Sequence, residues 1–366
     1  MPEKLISVVD YCKNCDWVPE CGGCDRLLYD VMDRPCRNYS VDELYPECPD
    51  FADRVTEVNG FGLSDIKVSR FSIPSLPAKV IPSFRRGDLH RRWDVGNCVS
   101  ITIQELVNRG SNQVSLRLMH GLPKKTLLII TMCCKDQHLE NVWLRTNGKE
   151  IMDILRKESP CIVIGPDFSL YMNSPRCTHM LNTKRSLVVF QRLLEAGIPT
   201  IPFVSLHNHH DVERWASWLN ASRSICMVGT SLQTLKNDNK IWRLNVQLLA
   251  KLDELTGKRL HWLVIGVAAN HKLAELRKNL FSFSIISSDP VQAAVHGNMR
   301  VNGKLVRSLI TDSYELTKLN IRDLDRCCRG ELVFDFEILT NREDLLLPKK
   351  PLWMPNTEIQ PELIHL

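Results

Sequence analysis

From Cys98 onward the chain alternates short apolar runs with longer amphipathic stretches. The runs Leu127–Cys133, Cys161–Gly165, Thr200–Leu206, Ser224–Gly229, Leu260–Val267 and Ser282–Ser287 predict strands buried on both faces. Between and after them, Lys149–Lys157, Thr178–Ala196, Asp211–Asn220, Lys240–Thr256, His271–Leu280 and Pro290–His296 carry apolar residues at helical spacing. Two shorter strands are expected at Val99–Ile103 and Val114–Met119, with a helix at Gln104–Arg109. Strands alternating with helices make βαβ units and a parallel sheet. The units carry no glycine-rich phosphate fingerprint, which favours a closed TIM-like (β/α) barrel over an open nucleotide-binding sheet, with no nucleotide cofactor.

The ends of the chain read differently. Residues 1–57 form a cysteine-rich metal-binding module, 58–97 a proline-punctuated linker with a basic loop, 98–305 the barrel, and 306–366 C-terminal helices, an edge strand at Leu332–Leu339 and an extended tail. The C-terminal helices are expected at Asp312–Leu319 and Ile321–Cys328. In the first module Cys12, Cys15, Cys21 and Cys24 form two C-x-x-C pairs, with Cys36 and Cys48 within reach. Thiolates at that spacing suit tetrahedral zinc, and an iron–sulfur cluster is the alternative. The acidic residues between them favour a structural knuckle or a surface for a protein partner over direct contact with DNA.

Charge sharpens this division. Residues 1–60 hold thirteen acidic and six basic side chains, so the rest of the chain carries a formal +12 against +5 for the whole. A basic body suits a polyanion, because each neutralised phosphate releases counterions. Arg85, Arg86, Arg91, Arg92 and Trp93 make the densest basic stretch, in which arginines contact phosphates and the indole stacks on a base. The longest apolar runs are too short to cross a bilayer, and the first thirty residues lack a signal-peptide pattern. The expectation is a cytoplasmic protein that binds nucleic acid, DNA ahead of RNA, and no membrane.

A closed barrel collects the carboxyl ends of its strands around one mouth. Those ends carry Asp167 and Ser169, then Ser205 and His207, then Gly229 and Thr230, then Gly266, then Asp289. Two carboxylates on well-separated strands point to a nucleophile with an acid/base partner. The cluster His207-Asn208-His209-His210-Asp211 points instead to a metal-dependent hydrolase or nuclease, in which His207 and His209 join Asp167 and Asp289. A third possibility is a non-catalytic barrel that binds nucleic acid or protein.

The order of Asp167, Thr200–Ser205, Ile225–Thr230, His261–Val267 and Ser287-Ser288-Asp289-Pro290 resembles the active-site strands of tRNA-guanine transglycosylases. It is closer to their phage and bacterial DNA-modifying relatives, which insert deazaguanine bases. The segment Gly165-Pro166-Asp167-Phe168-Ser169-Leu170-Tyr171 also resembles an uncharacterised barrel family common in phages and mobile elements. The resemblance covers roughly residues 125–305 and implies base exchange or base removal through an aspartate glycosyl-enzyme. It implies Asp289 as nucleophile, Asp167 as acid/base, the backbone around Gly229 against the base edge, and Ser205 at the base-recognition position. The chain departs from the family at Phe203-Val204-Ser205, where a glutamine-glycine signature is expected, and has no cysteine-histidine zinc site after Asp289.

Overall fold

The computed structural model describes residues 51–68, 73–85, 95–107, 115–119, 122–135, 138–140, 142–143, 150–170, 176–233, 238–331 and 346–347. The six module cysteines, Arg86 to Trp93, Tyr171 and the expected edge strand at 332–339 lie outside them. In chain order the elements are α1 (Phe51–Glu57), β1 (Val80–Phe84), β2 (Cys98–Thr102), α2 (Ile103–Val107), α3 (Leu116–Met119), β3 (Leu127–Thr131) and α4 (Glu150–Glu158). There follow β4 (Ile162–Ile164), α5 (Arg176–Glu195), β5 (Thr200–Ile201), α6 (His209–Ala221), β6 (Met227–Ser231), α7 (Asn239–Thr256), β7 (His261–Ile265) and α8 (Asn270–Asn279). The last are β8 (Ser282–Ser287), α9 (Asp289–Val295), β9 (Asn298–Val301), β10 (Lys304–Ser308), α10 (Ser313–Arg329) and β11 (Leu346–Leu347).

Eight strands form one parallel sheet in the order β5-β4-β3-β2-β1-β8-β7-β6. A bridge from Phe203 to Gly229 joins the two ends, with Val204 N–H donating to the Gly229 carbonyl at 2.8 Å and Gly229 N–H to the Pro202 carbonyl at 2.9 Å. The sheet thus curls into a TIM-like barrel with helices around it. Every second strand residue points inward, so Ile81, Ile129, Ile162, Ile164, Ile201, Leu263, Ile265 and Ile286 fill the interior with Phe203 and Met227. The alternate residues, among them Val99, Val163, Val228, Val264 and Ile285, pack against the helices.

Gly229 is where this packing needs a glycine. A Cβ there would stand 2.3 Å from Cγ2 of Ile164. Its missing side chain makes room for Ile164 across the interior and lets the chain after β5 reach β6.

Three sequence expectations change. The first barrel strand, β1, falls inside 58–97, so the barrel begins at Val80 rather than Cys98. Pro82 in the middle of a five-residue strand hides it, since proline usually marks an edge or a loop. Val114–Met119 contains the helical turn α3, where Arg117 donates to the carbonyls of Thr126 (2.9 Å) and Glu158 (3.2 Å). The two helices expected from Asp312 onward are one continuous α10, with Asn320 wholly buried at its middle.

Residues 59–66 are also fastened to the barrel rather than hanging as a linker. Arg214 donates to the Phe61 carbonyl at 2.7 Å and the Trp218 indole to the Ile66 carbonyl at 3.1 Å. The fully buried Lys184 bonds both the Gly62 carbonyl and Asp65. At the amino-terminal end, the Trp143 indole donates to Glu57 of α1 at 3.1 Å.

Candidate active site at the barrel mouth

A cavity of about 470 Å³ opens at the carboxyl ends of the strands. Its wall takes Ser83 from β1, Thr102 from β2, Thr131 and Cys133 from the end of β3, Gly266 after β7, and Ser287 and Asp289 at and after β8. Arg85, Gln233, His271 and Lys272 stand around it. A larger hollow of about 1160 Å³ lies on the outer surface between residues 62–68 and α6, away from the strand ends.

Asp289 opens α9, and its N–H donates to Ser287 Oγ at 3.2 Å. Its Oδ2 accepts from Nη1 of Arg300, a side chain only 3% exposed on β9. Among the described residues Oδ1 has no hydrogen-bond partner, and the side chain is 33% exposed. Arg300 is itself held: Nη2 donates to the Ala268 carbonyl at 3.0 Å, and its N–H donates to Oδ1 of Asn320 at 2.6 Å. Asn320 Nδ2 donates to the carbonyls of Pro290 and Asn298, each at 3.1 Å. Asp323 lies 3.7 Å from Arg300 Nε and accepts from the N–H groups of Asn302 and Gly303 in the β9–β10 turn. The unit β9–β10–α10, which follows the eight barrel strands, therefore fixes one oxygen of a carboxylate in the mouth.

Asp167 follows β4, and its N–H donates to the Met132 carbonyl at 3.0 Å. The Cys133 thiol donates to Asp167 Oδ2 at 3.3 Å, and the Ser231 hydroxyl beside the same sulfur favours the thiolate. Burial pushes the Cys133 thiol well up, and the Asp167 charge beside it adds to the shift. Ser231 Oγ in turn accepts from Gln233 N–H at 3.5 Å. A hydrogen bond thus links the end of β3 to the carboxylate after β4, with the end of β6 beside it.

The other expected site residues divide. Gly266 lines the cavity at φ +89°, and a Cβ on it would stand 2.4 Å from Gln233 Cβ, so the close approach of the two loops requires glycine. Arg85 lines the cavity as well. Ser169 and Ser205 are half-buried, and the Ser169 carbonyl accepts from Asn182 at 2.9 Å. Gly229 lies in the barrel interior against Ile164, and Thr230, paired in register with Val264, shares the outer face.

The histidine cluster comes apart. Asn208 caps α6 by accepting from Asp211 N–H at 3.0 Å, so the helix begins at His209 and fans the neighbouring side chains in different directions. His207 packs on His179 with ring centroids 4.6 Å apart, while His209 and His210 face solvent. Burial pulls His207 below the ordinary histidine range, although Asp211 nearby opposes the shift. Asp211 is buried, which would raise it, yet Arg176 at 2.5 Å and the His207 N–H hold it below its usual value. Among the described residues no group of three or more histidine, cysteine or acidic side chains is placed to hold a metal ion. The set of His207, His209, Asp167 and Asp289 expected for a metal-dependent hydrolase is therefore not assembled, because the helix start separates its two histidines.

Sequence reasoning missed Cys133, Ser231 as its partner, and Arg300. Cys133 had a signal: it continues the inward alternation Leu127, Ile129, Thr131 to the strand end. Arg300 had none, since nothing local ties residue 300 to residue 289.

A model of a family described as a domain of unknown function (DUF4417) matches residues 119–256. Among curated proteins none matches the chain. Similar solved structures include a 4-hydroxy-2-oxoglutarate/2-dehydro-3-deoxyphosphogluconate aldolase, at 14% identity and TM-score 0.36, covering 68% of this chain and 94% of the aldolase. The tryptophan synthase complex of Pyrococcus furiosus is 12% identical with TM-score 0.41, covering 67% and 96% of the two chains. A designed, cube-shaped porous protein cage is 12% identical with TM-score 0.39, covering 74% and 77%.

Proposed function

We propose that the protein is an enzyme acting on the glycosidic bond of a nucleoside within nucleic acid, exchanging or removing its base at the barrel mouth. The observation that carries this reading is the Asp289 carboxylate, with one oxygen held by buried Arg300 and the other unpartnered among the described residues, beside a 470 Å³ cavity. A carboxylate so held is oriented for attack. In the proposed step Asp289 Oδ1 bonds to the anomeric carbon as the bond from that carbon to the base breaks. Asp167, reached through Cys133, handles the proton of the departing or arriving base. A new base or water then displaces Asp289. Substrate in a duplex would have to swing its nucleotide out of the stack to reach the mouth. The positive body of residues 61–366 favours a polyanionic substrate, with Arg86, Arg91, Arg92 and Trp93 proposed to grip it beside Arg85. The amino-terminal cysteines are proposed to hold zinc, with an iron–sulfur cluster as the alternative.

The test uses the full-length protein with single- and double-stranded DNA and RNA oligonucleotides, with and without added free bases. Nucleoside composition after digestion is read by mass spectrometry. Loss or exchange of one kind of base by the wild type, absent with Asp289→Asn, is the expected result. Unchanged composition with equal binding by both proteins would favour the non-catalytic binding barrel.

A further inference from the structure

We propose that Cys133 and Asp167 form a proton relay in which the Cys133 sulfur is the atom presented to the substrate and Asp167 is the proton store behind it. The proposal rests on the reading of Asp167 as acid/base and specifies how that carboxylate communicates with the cavity.

Three observations carry it. Cys133 belongs to the cavity wall, whereas Asp167 is not among the residues that form it. The thiol hydrogen is already committed to Asp167 Oδ2 at 3.3 Å, so one line of proton transfer runs from the sulfur in the cavity wall to the carboxylate. Ser231, whose hydroxyl favours the Cys133 thiolate, accepts from Gln233 N–H, and Gln233 is packed against Gly266, so that hydroxyl is fixed by two loops of the mouth. A cysteine serving only to fill space would need none of these partners. The resting thiol is kept neutral by burial and by the neighbouring carboxylate, which is the starting state a relay requires and the opposite of a free thiolate nucleophile.

The step balances without any further reactant. In the base direction an N–H or O–H of the substrate passes its proton to Sγ as the S–H proton passes to Asp167 Oδ2. One proton has moved to the carboxylate, and sulfur is again a thiol. In the acid direction both transfers reverse. No bond to carbon or change of oxidation state is involved. The substrate class is a group with an exchangeable proton on nitrogen or oxygen, as on a heterocyclic base or a water that replaces it. Cys133 is thus a residue through which Asp167 acts.

Labelling with iodoacetamide across pH 6.5–9.5, read residue by residue by mass spectrometry, tests the relay without any substrate. Two cysteines of the same chain serve as references: Cys226 is exposed, and Cys98 is 1% exposed and reports unfolding if it labels. In the wild type Cys133 should label at least tenfold more slowly than Cys226 at pH 7.5. Asp167→Asn should raise the Cys133 rate at least fivefold and shift its pH profile down, while Cys226 and Cys98 stay unchanged. Ser231→Ala should slow Cys133 and shift the profile up. Equal Cys133 profiles in all three proteins, with Cys98 still protected, would overturn the relay. A variant in which Cys98 labels is replaced by Asp167→Glu or Ser231→Thr, which keep a carboxylate or hydroxyl and should restore the wild-type direction. Because the readout is thiol chemistry in the free protein, it can fail while base exchange is observed, or hold while base exchange is not.

Discussion

Arg300, on a strand beyond the barrel, donates Nη1 to Oδ2 of Asp289, the carboxylate that follows the last barrel strand. The two are eleven residues apart, with the rest of α9 between them. The guanidinium is almost without exposure, whereas the carboxylate stands a third exposed at the mouth. Asp289→Asn leaves the buried guanidinium its second carboxylate, Asp323 at 3.7 Å, whereas removing Arg300 strips both carboxylates of their cation and should cost more. Arg300→Gln is expected to lower stability by about 3 kcal/mol and Asp289→Asn by about 1 kcal/mol, since the first leaves two carboxylates, Asp289 and Asp323, without their cation. Urea unfolding of both variants measures the difference.

Lys184 and Asp65 form a second unequal pair. The ammonium is wholly buried in α5, and the carboxylate is 36% exposed in the segment before β1. Asp65→Ala leaves a buried, uncompensated charge and should cost roughly 3 kcal/mol, whereas Lys184→Met replaces the ion by an apolar side chain of similar length and should cost less than half of that. The Asp65 carboxyl is partly buried, which would raise it, but the bond from Lys184 holds it below its ordinary value. Its share of stability is thus present at neutral pH and lost on acidification. Equal losses in the two variants would contradict this asymmetry.

Gly229 and Ile164 face each other across the barrel, and the 2.3 Å approach to an added Cβ leaves no room for alanine. Gly229→Ala should cost about 1–3 kcal/mol by overpacking. Ile164→Val in the same chain should restore part of the loss if it makes room for the methyl group. Thermal melts of the single and double variants decide between steric and purely conformational effects of the glycine, because only a steric effect is rescued from the opposite strand.

Two groups give the barrel opposing pH responses. At its amino-terminal end His261 lies 2.8 Å and 3.2 Å from the hydroxyls of Ser282 and Ser284, and burial, with Lys79 nearby, pushes it down to about 4. The unfolded chain then binds the extra proton from about pH 6.5 downward, so His261 lowers stability as pH falls towards 4. Asp253, accepting from the Trp262 indole at 3.0 Å, is pushed up to about 6 by burial. Here the folded chain binds the extra proton between 6 and the unfolded value near 4, so stability rises as pH falls. Relative to wild type, Asp253→Asn should gain about 2 kcal/mol more at pH 7 than at pH 4, and His261→Gln about 2 kcal/mol more at pH 4 than at pH 7. Urea titrations at the two pH values test both signs.

The strands and helices between residues 127 and 296 were legible because each parallel strand is buried on both faces and each helix buries one. β8 has the predicted bounds Ser282–Ser287. β5 shrinks to Thr200–Ile201 because Pro202 interrupts the ladder just before the closing bridge at Phe203. β1 was hidden by Pro82, and α3 by a run too short to separate period two from period 3.6. The mouth was legible as a list of strand ends, and that list contained Asp167, Gly266 and Asp289. It did not contain Arg300, whose target is set by how β9 folds back over α9. It also could not divide His207 from His209, because that depends on Asn208 capping the helix that begins at His209.

The proposed attack of Asp289 on a sugar carbon is tested most directly by the mass of the intact protein after incubation with oligonucleotides under denaturing quench, followed by peptide mapping of any adduct. A covalent adduct on the peptide containing Asp289 is expected in the wild type, lost in Asp289→Asn and diminished in Arg300→Lys. No adduct with single- or double-stranded DNA or RNA, or one that persists in Asp289→Asn, would contradict it.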